Sequence, residues 1–269
     1  MCLEQRAGTR SSSKLLKFVD HSETYGPQVI KSYLGQLDSI SSAADIGAGS
    51  GRDLGLVKAR FPEASLHAIE CMSTNIVTLE RQGIKTYSNN IESEALPFHN
   101  ESIDLFICNQ ILEHTKELFF IFHEITRSLK VGGFVIVGIP NVASLHNRIG
   151  LLFGKHPTQA KTCSAHIRCF SKNDFLLFLQ ECFPKGYFLK SFDGSQFYPF
   201  LPFLSQPLAR VFPSMAFSIF FLLQKTKAYE GSFLEYPNQA GLETNFKVTT
   251  DQHFSANTLG NHPKEAFNA

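Results

Sequence analysis

Gly47, Gly49 and Gly51 fall within the segment AADIGAGSGRDL, Ala43 to Leu54, between a short apolar run and a helical pattern. Glycines so spaced supply positive φ for a tight turn and leave backbone that a ligand can approach where a side chain would block it. The next apolar run, LHAIE, ends in Glu70, the position from which a carboxylate can accept hydrogen bonds from both hydroxyls of a nucleoside ribose. Charge-assisted bonds of this kind contribute about 1.5–3 kcal/mol each. Alone, the turn describes a bend and Glu70 a solvated acid; in succession they describe a nucleoside seat. Proton transfer has its own candidates, His114 in an EH pair and His166 with Arg168 in AHIRCFS, since imidazole exchanges a proton near pH 7.

The elements that must position these residues follow from hydrophobic periodicity. Apolar runs at 43–46, 66–69, 103–108 and 134–139, each bounded by glycine, proline or charge, predict strands buried on both faces, with a weaker strand near Lys85 to Tyr87. Helical spacing fills the gaps: Ile30, Tyr33, Leu34 and Leu37 on a leading helix, Leu54, Val57 and Phe61 after the first strand, Ile76 and Leu79 after the second, and Leu118, Ile121, Phe122, Ile125 and Leu129 before the fifth. Such alternation predicts an α/β fold, Rossmann-like and doubly wound, with helices on both faces of a mostly parallel seven-stranded sheet and the ligand at the carboxyl ends of the strands. A helix is expected near 143–152, and another capped by Ser171 with Phe175, Phe178, Leu179 and Cys182 as its stripe. Tyr187–Phe192 and Phe217–Gln224 complete the strands. Residues 1–22 are expected to be a flexible N-terminus, 23–225 one domain carrying an apolar insertion at 193–216, and 226–269 a loosely ordered tail.

Composition narrows the function. With 25 basic and 24 acidic side chains among 269 residues, no global field draws in polyanions, and nucleic acid is not expected as a partner. The six cysteines form no CxxC pair, which suggests reduced thiols. No histidine and cysteine cluster has zinc-ligand spacing, so no metal is expected. The N-terminal MCLEQRAGTRSSSK lacks an apolar export signal, and a cytoplasmic location is expected. The most apolar stretch, Tyr198 to Leu223, is broken by Pro199, Pro202, Pro207 and Pro213 and carries Arg210, so it does not read as a spanning helix.

With DIGAGSG and Glu70 in place, two further segments, NNIESEALPFHNESIDLFICNQILEH from Asn89 to His114 and EITRSLKVGGFVIVGIPN from Glu124 to Asn141, complete a pattern that resembles class I S-adenosylmethionine-dependent methyltransferases. The resemblance runs from about Tyr25 to Lys225 and is greatest to the broad type-11-like group that includes quinone-biosynthesis and glycan-cluster enzymes. It implies S-adenosylmethionine as cofactor, with Gly47, Gly49 and Gly51 lining its methionine portion, Asp45 near its amino group and Glu70 on the ribose. By the same matching, Cys71 or Met72 lies against the adenine, and Asn90 and Ile91 bound its far edge, Asn90 standing where the family usually has Asp. Asn109, at the end of the fourth strand, falls where cofactor and acceptor meet. Leu96, Pro97, Gly132 and Gly133 read as structural.

The expected activity is methyl transfer to a small-molecule or glycan- or lipid-linked acceptor, with oxygen slightly favoured. An oxygen acceptor needs its proton taken or shared, for which His114, His166 and Arg168 are the candidates; Tyr25 and Asn141 are expected to contact the acceptor. The insertion around 198–212 reads as an apolar lid, a packed appendage or a peripheral membrane contact. Two other classes compete. A nicotinamide-dependent oxidoreductase would use GxGxxG to admit a pyrophosphate at a helix start, whereas here GAGSG is followed by Arg52 and by Asp53, which would repel it. A non-catalytic cofactor-binding module is consistent with the lack of an unmistakable base.

Overall fold

The structure is a computed structural model and describes residues 26–242 together with Phe246. Tyr25, the N-terminal 1–22 segment and most of the expected tail lie outside the described residues. Seven strands form one sheet: β1 (Ser42–Ile46), β2 (Ser65–Ile69), β3 (Lys85–Tyr87), β4 (Ile103–Asn109), β5 (Leu129–Pro140), β6 (Tyr187–Ser195) and β7 (Ser218–Lys225). Their order is β3-β2-β1-β4-β5-β7-β6. The pairs from β3 to β5 are parallel, and β7 runs antiparallel to both β5 and β6. The chain leaves β1 toward β2 on one side and later inserts β4 on the other, so the carboxyl ends of β1 and β4 flank the crevice where ligands bind in open α/β sheets.

Side-chain alternation explains why the sheet is covered on both faces. On one face Phe106, Cys108, Val135, Val137 and Phe221 join a core closed by α4 (Leu118–Ser128) and α6 (Lys172–Cys182). On the other, Leu105, Ile107, Ile136, Phe220 and Leu222 meet Ile30, Tyr33 and Leu34 of α1 (Pro27–Leu34) and Val57 of α2 (Arg52–Arg60). Each fully buried Phe or Leu contributes about 1.5–3 kcal/mol. Tyr33 joins this core because its hydroxyl donates to the Phe220 carbonyl at 3.0 Å. The helix after β2 is α3 (Ser73–Arg81). As expected, the Ser171 hydroxyl accepts from the Asp174 N–H at the start of α6, and Phe175, Leu179 and Cys182 are buried.

Three stretches depart from the sequence reading. Helix α4 passes into β5 at Leu129, five residues before the expected strand start, and Gly132 takes φ +85° within the extended strand. The insertion at 193–216 is partly helical, with α7 (Pro202–Val211) between β6 and β7, whereas α5 (Leu145–Leu152) stands where a helix was expected. Ala209 packs with Phe197 and Ala216, while Phe203, Val211 and Phe212 stay exposed. Residues 232–239, expected to be loosely ordered, form helix α8 (Ser232–Gln239). The reason is Phe233, fully buried against the rings of Phe122 and Phe178; one aromatic in a short segment leaves no periodic signal.

Asp104 ties three strands at the amino-terminal edge. Its Oδ2 accepts from the Ser41 and Ser42 N–H groups at 3.0 and 2.9 Å and from the Ser42 hydroxyl, and its Oδ1 accepts from Lys130 Nζ at 2.7 Å. Burial acts to raise this carboxyl, but the Lys130 bond and the Ser41 and Ser42 bonds outweigh it and hold the pKa below the ordinary value. A carboxyl depressed in the folded state contributes stability that is present above its unfolded pKa of about 4 and lost as pH falls through the folded value. Asp104→Asn should therefore lower stability at pH 7 by about 1–2 kcal/mol. In urea titrations the gap from wild type should shrink below pH 4; a gap constant from pH 7 to pH 3 contradicts this role.

Candidate functional site

At the carboxyl end of β1 the chain turns through Gly47, Gly49 and Gly51, with φ of +73°, +54° and +86°. The Gly47 and Ala48 N–H groups donate to the Ile69 carbonyl at 2.9 and 3.2 Å, which fastens the turn to β2. The three glycines are not equivalent. A Cβ on Gly47 would lie 2.9 Å from the Ile111 side chain, and one on Gly51 would lie 2.8 Å from Leu79. A Cβ on Gly49 would meet nothing within 4 Å. Packing therefore favours glycine at 47 and, less strictly, at 51, whereas at 49 the missing side chain leaves open space.

Glu70 borders that space. Its Oε2 accepts from the Gly49 N–H at 2.7 Å, and its Oε1 accepts from the Cys71 and Met72 N–H groups at 2.9 and 2.8 Å. A carboxylate accepts about four hydrogen bonds, so three backbone donors fix its orientation and leave it able to accept again. Cys71 is exposed and Met72 half-buried. Asn90 and Ile91 are half-buried, and the Asn90 side-chain oxygen accepts from the Glu92 N–H at 3.1 Å, holding its own loop.

Carboxylates dominate the electrostatics. Asp45, Asp53 and Glu70 are buried. Arg52 bonds both oxygens of Asp53 at 2.8 and 3.2 Å, and the Asn109 amide donates to Asp53 Oδ2 at 2.7 Å. Burial pushes the Asp45 carboxyl well above its usual range; Asp53 and Glu70 add to this and Arg52 opposes it. Set against one guanidinium, three carboxylates favour a cationic ligand and disfavour a pyrophosphate.

Beyond β4 lies the other half of the site. Gln110 takes φ +58° and donates its N–H to the Gly138 carbonyl at 2.7 Å. Its side-chain amide nitrogen is buried without a partner among the described residues. Left-handed backbone at a non-glycine residue costs about 1–2 kcal/mol, so Gln110 is a functional candidate that sequence reasoning missed; a glutamine at a strand end carries no pattern. Ile111 packs onto Gly47 and leads into a short 3-10 turn, Leu112–His114.

The structure brings His114 and His166 together, as edge-on rings with centroids 4.9 Å apart, and adds Glu113. His114 Nδ1 lies 3.1 Å from the Ala165 carbonyl, and its Nε2 faces Glu113 Oε1 at 3.9 Å. Burial pushes the Glu113 carboxyl up to about 8. Burial and then the neighbouring His114 lower His166. Arg168 does different work from the sequence expectation. Its guanidinium donates to the Thr115 and Lys116 carbonyls at 3.2 and 2.5 Å, pinning the loop before α6 to the turn after β4. Asn141 is likewise corrected. It is fully buried, its amide donates to the Ser214 and Ala216 carbonyls, and its oxygen accepts from Ala143, so it braces a corner and has no face for an acceptor.

The mostly parallel sheet with the glycine turn after its first strand is a Rossmann-like arrangement of the kind found in S-adenosylmethionine-dependent methyltransferases. Residues 44–137 match the family described as methyltransferase domain. No curated protein shows a significant match to the sequence. Among solved structures the chain is similar to one from the Haloferax volcanii complex of the Trm112 methyltransferase activator with a methyltransferase, at 12% identity and TM-score 0.56, covering 78% of this chain and 92% of that one. It is also similar to the geranyl diphosphate C-methyltransferase of Streptomyces coelicolor A3(2), solved with Mg2+, geranyl diphosphate and S-adenosyl-L-homocysteine, at 13% identity and TM-score 0.52, covering 84% and 91%. A third is a SAM-dependent methyltransferase from Thermotoga maritima, at 18% identity and TM-score 0.50, covering 76% and 91%. At these identities the likeness is one of fold.

The contrast between the glycines is measurable. Gly47→Ala should cost about 1–3 kcal/mol in urea denaturation because its methyl group has no room. Gly49→Ala should cost only the left-handed backbone strain of about 1–2 kcal/mol and fill the ligand space instead. Equal stability of Gly47→Ala and wild type would remove the packing argument.

Proposed function

We propose that the chain seats S-adenosylmethionine across Gly47, Gly49 and Glu70 and transfers its methyl group to an oxygen of a small or carrier-linked acceptor. The observation that carries this reading is the excess of buried carboxylate beside the open face of Gly49. The cofactor bears an ammonium and a sulfonium, and the sulfonium already makes its methyl electrophilic. Asp45 and Asp53 lie where they would balance that charge, and Glu70 is oriented to accept from the ribose hydroxyls. Cys71, Met72, Asn90 and Ile91 border the adenine in this reading, and Asn109 holds Asp53 beside the methionine end.

What the protein adds is position and dryness, and holding an acceptor in line can contribute about 7–11 kcal/mol. Because β6 runs parallel to β5, the chain between β6 and β7 emerges at the same edge of the sheet as the glycine turn. This segment and the one between β5 and α6 are short of negative charge: neither 142–173 nor 194–229 contains an aspartate or glutamate. They expose Leu151, Leu152 and Phe153 on one side and Phe203, Val211 and Phe212 on the other. An apolar, carboxylate-free cover favours a lipid- or glycan-lipid-linked acceptor presented at a membrane surface. Among the described residues no helix is long and apolar enough to cross a membrane, so the contact in this reading is peripheral.

Calorimetry with S-adenosylhomocysteine tests the seat. Glu70→Ala should weaken binding at least about tenfold through loss of charge-assisted bonds, and unchanged affinity contradicts the ribose assignment. A bound ammonium favours ionised Asp45, so affinity should fall as pH drops through the raised Asp45 pKa; Asp45→Asn should flatten that dependence. Transfer of labelled methyl from S-adenosylmethionine into the lipid fraction of a cell extract tests the acceptor. Label confined to the aqueous fraction would overturn the lipid-linked reading.

A further inference from the structure

The geometry points to a site for one divalent transition-metal cation formed by Glu113, His114 and His166, at the edge of the methyl-transfer crevice. One ligand atom from each residue lies within 4.8 Å of the others. Bonds of about 2.0–2.2 Å place neighbouring ligand atoms about 3–3.5 Å apart, so small side-chain rotations close the triad.

Hydrogen bonding leaves these groups in want of a positive partner. A carbonyl can only accept, so His114 Nδ1 carries the proton donated to Ala165. Its Nε2 therefore turns a lone pair toward Glu113 Oε1, 3.9 Å away. Glu113 is 2% exposed, and its Oε2 has no partner among the described residues; neither has the buried Nδ1 of His166. Two imidazoles and a carboxyl group thus converge with two of their buried polar atoms left unpartnered among the described residues. The backbone carbonyl supporting His114 is the outer-shell arrangement usual for a metal-bound imidazole.

The site is also built in advance. The Ile167 and Arg168 N–H groups both donate to the Glu113 carbonyl, at 2.7 and 3.1 Å, and Arg168 clamps the Thr115 and Lys116 carbonyls. His166 is held beside Glu113 by four hydrogen bonds made by the two residues that follow it. Two imidazoles and one carboxylate suit zinc, manganese, iron or cobalt and leave coordination positions open. Those positions would take an acceptor oxygen, lowering its proton affinity and fixing its approach. This role rests on the methyl-transfer reading, whereas cation binding does not.

Tag-free full-length protein, stripped with chelator, should be titrated by calorimetry with zinc, manganese and cobalt chloride in turn. One equivalent should bind, and both Glu113→Gln and His166→Ala should weaken it at least about tenfold. Cobalt-loaded wild type should show visible absorption that His166→Ala lacks. In chelator, His166→Ala should keep the melting temperature and S-adenosylhomocysteine affinity of wild type. If no cation binds saturably, or if His166→Ala binds it as tightly as wild type, the site is overturned. Loss of S-adenosylhomocysteine binding by wild type would instead defeat the methyl-transfer reading and leave the cation result standing.

Discussion

The hydrogen bond from the Gly49 N–H to the Glu70 carboxylate is the contact on which the crevice depends. It joins the turn after β1 to the end of β2, and the same carboxylate gathers the Cys71 and Met72 amides that begin the next loop. The glycine turn and the Glu70–Met72 stretch, 21 residues apart, are thus set by one charged side chain. A neutral or shorter residue there would release the glycine turn and the start of the loop after β2 together. The carboxylate is able to serve both because hydrogen bonds to ionised groups are about twice as strong as neutral ones.

Around this contact the protein concentrates like charges that ordinary folding would keep apart. Asp45, Asp53 and Glu70 share a small buried volume with Arg52 as their near counter-charge. Such an arrangement destabilises the empty protein and is relieved by a cation, so the cost in folding is recovered as selectivity for a positively charged ligand. The dehydrogenase alternative fails on the same ground, since a pyrophosphate would add charge of the wrong sign.

Much of this was legible in the sequence because it is local. Strands buried on both faces write continuous apolar runs, glycine turns write their spacing, and Ser171 writes a helix start. The crevice between β1 and β2 followed for the same reason, as Asp45 to Glu70 lies within one β-α-β unit. What stayed hidden depends on distant neighbours. Helix α8 rests on one phenylalanine inserted between two others. Asn141 looks exposed at a strand end until Ser214 and Ala216 come to meet it. Glu113–His114 and His166 lie on separate loops that only the fold brings together, so no spacing in the chain marks them as a group. Gln110 betrays itself by backbone conformation alone, which no residue type records.

The reversal of β7 has a consequence for how this enzyme can change. Since β6 ends and β7 begins at the edge where the crevice opens, the hairpin between them can lengthen, shorten or exchange side chains without disturbing β1, β2 or the turn that joins them. In the proposed reading, recognition of the molecule to be modified and handling of the methyl donor thereby fall to separate stretches of chain. Evolution can redraft the former while the latter is left untouched.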